Sequence, residues 1–214
     1  MSVIDPDSRQ VVTSMGSPWN AVVRIKSMAS SGIPRYGTGW LISPSRLVTA
    51  GHVIHHKAML GGLAHSVEVE LDGETQAASG WRVHPRWEND SDFALDVGFV
   101  ELAGPFGTAF SSLDLEVMQP VDLSGPTVIA GYPFHPFESR PRWAKGRVVH
   151  WHEGLAYHDV DTSSGQSGGP LLRQGGLVAV GIHTPDTGAN ALSKALGANV
   201  AVPLSTQLIA FLNG

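Results

Sequence analysis

Glycine and proline clusters cut this chain into short pieces. Ser17-Pro18, Ser43-Pro44-Ser45, Gly61-Gly62, Gly104-Pro105, Gly125-Pro126 and Gly175-Gly176 each interrupt whatever precedes them. Between them lie runs shorter than most helices: 21–26 (AVVRIK), 39–43 (GWLIS), 66–71 (SVEVEL), 97–102, 127–130, 147–151 and 177–182. Several alternate apolar and polar residues, the period of a half-buried strand. Helical spacing is confined to a turn over 50–56 and to 204–212, where Leu204, Leu208 and Leu212 share a face, Pro203 leads in and Asn213-Gly214 close. Many short strands with frequent turns predict an all-β sandwich or a pair of barrels. The stretch 104–125 has the weakest strand signal and reads as the connection between two halves, 1–110 and 111–214.

Composition narrows the function classes. A chain of 214 residues can bury about 70% of its unfolded surface, so a core can hold it without staples. It has no cysteine, which excludes disulfides and thiolate zinc sites. Its net charge of −5 and pI of about 6.0 give no basic footprint for nucleic acid. No apolar run reaches the ~18 residues of a membrane span, and 1–10 has no apolar signal core. His55-His56 and the alternating His150 and His152 lack the spacing of a metalloprotease helix, so no metal site is expected. The six tryptophans read as core and loop anchors.

Three segments carry nucleophile chemistry. The first is Gly165-Gln166-Ser167-Gly168-Gly169-Pro170. A nucleophilic serine needs an exposed hydroxyl on a tight turn, and glycines free the backbone there. The N–H groups of Gly165 and Ser167 can then meet one developing oxyanion. The second is Leu47-Val48-Thr49-Ala50-Gly51-His52-Val53, a strand that ends by presenting a histidine, the side chain suited to general base work near neutrality. The third is 89–102 (NDSDFALDVGFVEL), which offers Asp90, Asp92 and Asp96 to orient that base. Asp96 heads the better strand and is preferred over Asp92. Taken singly, each segment also reads as a plain hairpin turn, core histidine or surface aspartate.

Together, in the order His, Asp, Ser, these segments resemble the chymotrypsin-fold serine peptidases, and in particular the bacterial glutamyl endopeptidase branch of staphylococcal type. The matching stretches are TAGHV at 49–53, DVGFVEL at 96–102 and DTSSGQSGGP at 161–170, with GWLIS at 39–43 and GIHT at 181–184. VIDPDSRQ at 3–10 is similar to the mature N-terminus of that branch. The resemblance implies two perpendicular, antiparallel, six-stranded barrels of trypsin-like type with a C-terminal helix. The first barrel would carry His52 and Asp96, and the second Ser167 and the specificity pocket. It implies His52 as general base, Asp96 as its orienter, Ser167 as nucleophile, and Gly165 and Ser167 as oxyanion donors. It implies no cofactor, a protein or peptide substrate and a monomer. Export as a processed mature form is the expectation, with a peptidase domain of a larger intracellular protein as the alternative.

The same resemblance puts Thr162, His183, Asp161 and Thr184 in contact with substrate. A hydroxyl and an imidazole would bind a glutamate side chain, and less often aspartate. Asp161 occupies the position whose aspartate selects Arg or Lys in trypsin-like enzymes, which leaves a basic preference as the rival. A non-catalytic protein-binding module on the same fold is a further rival. Two departures from the branch stand out: Met1-Ser2 precede Val3, and Thr184-Pro185-Asp186 replaces an aromatic followed by glycines.

Overall fold

The computed structural model describes residue 3 and residues 6–106, 110–119, 122, 125–134, 140–173, 176–185 and 191–214. Met1, Ser2 and Asp186 therefore lie outside the described residues. After a short strand β1 (Gln10–Val11) come β2 (Val22–Met28), β3 (Pro34–Ser43) and β4 (Arg46–Thr49). Helical turns α1 (Gly51–Ile54) and α2 (Lys57–Leu60) flank β5 (His55–His56), which pairs with β6 (Gly62–Leu63). Next are β7 (Ser66–Leu71), β8 (Glu74–Val83), α3 (Pro85–Asp90) and β9 (Gly98–Leu102). Strands β2-β3-β4-β9-β8-β7 close into an antiparallel barrel.

The second half holds β10 (Asp114–Leu115), β11 (Pro126–Gly131), β12 (Arg142–His152), β13 (Leu155–His158), β14 (Pro170–Arg173) and β15 (Val178–Thr184). It ends with α4 (Ala191–Leu196), β16 (Asn199–Pro203) and α5 (Thr206–Asn213). Strands β12-β11-β14-β15-β16-β13 form the second six-stranded ring, closed by the β12–β13 pairing. Strand β1 adds to β12, and β10 adds to β15 in parallel. The all-β expectation of two six-stranded barrels and a C-terminal helix holds.

Alternation explains the first barrel directly. In β2, Val23 and Ile25 are fully buried while Arg24 and Lys26 face outward. The outward pair sits opposite Glu70 and Glu68 of β7 in register, at 3.4 and 2.7 Å. Such exposed cross-strand pairs contribute about 0.2–1 kcal/mol each, so burial rather than charge sets the register.

Helix α5 starts where the Ser205 side chain accepts the Leu208 N–H at 3.2 Å, slightly later than the periodicity suggested. Its buried Leu208 and Leu212 join a core that also contains Trp40, Leu41 and Leu47 of the first barrel. Arg46 donates to the Leu212 carbonyl at 3.1 Å, and the Phe211 ring lies 5.4 Å from Phe99. The last element of the chain thus fastens onto the first barrel. Among the described residues, no helix is long and apolar enough to cross a membrane.

Candidate active site

Register brings His52 and Asp96 together. Strands β4 and β9 are antiparallel neighbours with Thr49 opposite Gly98. His52 lies just beyond the end of β4 and Asp96 just before the start of β9, so both emerge at the same barrel end. His52 N–H donates to Asp96 Oδ1 at 2.7 Å, and His52 Nδ1 lies 2.7 Å from Asp96 Oδ2. Asp96 is fully buried. Burial alone would raise its pKa, but the His52 charge, the His52 hydrogen bonds and the Thr184 hydroxyl outweigh it and hold the carboxyl below its usual value. Asp92 does different work. It caps the turn 93–95 through Ala94 N–H at 3.1 Å and pairs with Arg86 at 2.7 Å. Of the two aspartates, Asp96 is the one in contact with His52.

The Ser167 turn connects the two barrels. Gly168 N–H donates to His183 O, and His183 N–H donates to Gly169 O, both at 2.8 Å, which lays the turn against the end of β15. From the first barrel, Thr38 N–H donates to Ser167 O at 2.8 Å and Thr38 Oγ1 donates to Gly165 O at 2.9 Å. Ser164 O accepts the Phe134 N–H at 2.7 Å. A trans peptide directs its N–H opposite its carbonyl, so this bond turns the Gly165 N–H away from Phe134. Among the described residues that N–H has no partner. Gly165 has φ +91, and a Cβ there would lie 2.4 Å from Phe134 N. Only glycine fits this conformation without strain.

His52, Gly165 and Ser167 line one cleft of about 350 Å³ together with Tyr36, His56, Met59 and Pro185. A second hollow of about 600 Å³ runs beside it along Phe93, Leu155, Tyr157, Thr184 and Pro185. Among the described residues, no group of three or more His, Asp or Glu side chains is placed to hold a metal ion.

The four residues expected to contact substrate divide into two kinds. Thr162 and His183 are fully buried, and among the described residues neither Thr162 Oγ1 nor His183 Nε2 has a hydrogen-bond partner. Thr184 and Asp161 are engaged elsewhere. The Thr184 hydroxyl donates to Asp96 Oδ2, so its side chain braces the acid instead of standing open to a ligand. Asp161 Oδ2 accepts from the Ser8 N–H at 2.8 Å and the Ser8 hydroxyl at 2.5 Å.

Removing the Thr184 donor has a defined consequence. A depressed carboxyl pKa contributes stability that is present above the unfolded value near 3.8 and is lost as pH falls through the folded value. Thr184→Val should raise the folded pKa of Asp96 and cost about 1.5–3 kcal/mol at pH 7, the usual size for a hydrogen bond to a charged group. Thermal unfolding of both proteins from pH 7 to pH 3 checks this. The deficit should narrow as Asp96 protonates.

Sequence reasoning missed three residues that build the site. Thr38 sits inside a strand pattern and carries no local signal for its cross-barrel bonds. Gln166 is fully buried, accepting Ser163 N–H at 2.9 Å and donating to Arg142 O at 3.3 Å, so a neutral carboxamide braces the Ser167 turn. His158 Nε2 lies 3.3 Å from His183 Nδ1, which is also 3.0 Å from Val200 O. His158 is fully buried, and among the described residues its Nδ1 has no hydrogen-bond partner.

Two closed barrels with a histidine, an aspartate and a serine converging at their junction define a trypsin-like peptidase architecture. Residues 37–182 match the family described as "Trypsin-like peptidase domain", and the chain belongs to that family. It is 28% identical over 205 residues to a glutamyl endopeptidase of Bacillus licheniformis, covering 86% of this chain and 60% of that protein. It is 25% identical over 197 residues to a Bacillus subtilis protein named "Extracellular metalloprotease", covering 86% of this chain and 62% of that one. The chain thus spans about three fifths of the length of these relatives. A solved structure of a Glu endopeptidase in complex with MPD superposes with a TM-score of 0.83 at 20% identity, over 99% of this chain and 97% of that one.

Proposed function

We propose that this chain is a serine endopeptidase that cleaves after glutamate, and less often after aspartate, through an acyl-enzyme. Ser167 Oγ would attack the scissile carbonyl while His52 Nε2 accepts its proton. Asp96 holds the His52 tautomer and stabilises the imidazolium that forms. The N–H groups of Gly165 and Ser167 would meet the oxyanion. His52 then protonates the leaving amine, and water releases the acyl group by the reverse proton path. The two barrels, 1–110 and 111–214, act as one catalytic unit with no cofactor. Export is part of this reading, supported by the name of the Bacillus subtilis relative.

The observation that carries the glutamyl preference is the pair of unpartnered buried atoms, Thr162 Oγ1 and His183 Nε2. Leaving such groups without partners costs about 1–3 kcal/mol each; a bound carboxylate would accept from the Thr162 hydroxyl, and from His183 Nε2 once that nitrogen takes up a proton. Asp161 does not oppose this, since Ser8 holds its Oδ2. A phosphonate ester with a glutamyl side chain tests pocket and nucleophile together. It should label Ser167, with the lysyl analogue much slower and Ser167→Ala unlabelled. Equal labelling by both would remove the glutamyl preference. No labelling of folded protein by either would favour the binding module.

The pocket imidazoles give a pH signature. Burial, and then the neighbouring His158, hold the His183 pKa well below 6.5, while burial pushes His158 down to about 3. In the empty pocket both are neutral at pH 7. A substrate carboxylate raises the His183 pKa, so binding favours the protonated ring and tightens as pH falls. KM for a glutamyl peptide should therefore rise from pH 6 to pH 9. KM for a leucyl peptide should not. Parallel profiles for the two would contradict a titrating pocket histidine.

A further inference from the structure

Asp161 adjoins the pocket residue Thr162 and is only 4% exposed. Two of its hydrogen bonds come from the far end of the chain. Ser8 supplies both its backbone N–H and its hydroxyl to the same oxygen, Oδ2. This double contact is one end of a fastened strap. Gln10 and Val11 pair with Trp143 and Arg142 of β12. Val12 N–H donates to Pro141 O at 2.9 Å, and the Arg140 guanidinium donates to Thr13 O at 2.6 Å. The strand that receives the strap also supports the Ser167 turn, because Arg142 O accepts from Gln166 Nε2.

A carboxylate beside a pocket for carboxylates is a liability. Free to rotate, Asp161 would repel a glutamate side chain and attract a cation. We propose that Ser8 is a specificity-setting positioning residue, whose two donors hold the Asp161 carboxylate out of the pocket. The proposal rests on the glutamyl reading for its kinetic consequence but not for its binding consequence. Ser8 acts through Asp161 and touches no substrate. Serine suits the task because one residue presents two donors to one oxygen, a grip that alanine halves. The strap keeps those donors in place through bonds that do not involve the pocket.

The test uses Ser8→Ala, and Ser8→Ala combined with Asp161→Asn, in the full chain. Kinetics on a glutamyl peptide and calorimetric binding of benzamidine, a small aromatic amidinium, are both read, with thermal unfolding as the fold control. Ser8→Ala should raise KM for the glutamyl peptide about tenfold with kcat little changed, the size of a modest like-charge effect. It should also gain benzamidine binding that the parent lacks. Adding Asp161→Asn should return KM toward the parent value and abolish benzamidine binding. A merely structural strap would instead lower kcat and the unfolding temperature, give no benzamidine binding and show no rescue; that result overturns the proposal. Benzamidine binding by the parent protein overturns it too. If the parent cleaves after neutral residues instead of glutamate, but Ser8→Ala still gains benzamidine binding, the glutamyl reading falls and the clasp stands.

Discussion

Ser167→Ala and His52→Ala are each expected to lower kcat by on the order of 10⁵–10⁶, with the double variant little worse than either. In the proposed mechanism the two side chains act in one step, so removing either removes the same event. Asp96→Asn should cost less, on the order of 10⁴, because the nucleophile and base remain but the imidazole loses its anionic partner. The geometry explains the ranking. Asp96 contacts His52 twice, at 2.7 Å through each oxygen, and one of those contacts sets the ring tautomer. Initial rates on a glutamyl peptide, with unfolding temperatures to confirm intact folds, check the series. Residual activity within tenfold of the parent in Ser167→Ala would mean that the reaction uses another nucleophile.

His183→Ala is expected to lower the preference for glutamyl over leucyl peptides by on the order of 10²–10⁴. A site built around a polar group discriminates strongly against partners that leave it unpaired, and loses that discrimination when the group is gone. The ring is fully buried and contacts both His158 and Val200 O, so the alanine variant also loses packing. Thr162→Val separates these effects. It keeps the volume, removes the unpartnered hydroxyl and should lower the same ratio with little change in unfolding temperature. The ratio of kcat/KM values for matched peptides gives the answer. An unchanged ratio in both variants would place glutamate recognition elsewhere.

What the sequence made visible was what repeats locally. Alternation marked β2 and β7, and the glycine run marked the nucleophile turn. Strand β8 was less visible because its ten residues, ETQAASGWRV, are largely exposed and rich in small side chains. Its place comes from pairing with β7 and β9. The candidate acid was legible as a choice among three nearby aspartates, with Asp96 preferred because it heads the better strand; the β4–β9 register then sets that residue against His52. Thr38, Gln166 and His158 act through contacts between distant segments, and no local pattern announces such contacts. Asp161 is the clearest instance. Its position in the resembled family leaves a cation pocket as the rival, while the donor Ser8 that contacts it lies 153 residues away.

A His52–Asp96–Ser167 hydrolase with a carboxylate pocket would reveal itself in which peptide bonds it cuts. Initial cleavage rates would be measured on matched peptides with Glu, Asp, Arg, Lys or Leu before the scissile bond, with Ser167→Ala alongside. Fast cleavage is expected after Glu, slower after Asp, little after the others and none detectable in the variant. Preferred cleavage after Arg or Lys, or glutamyl cleavage that survives Ser167→Ala, would contradict that expectation.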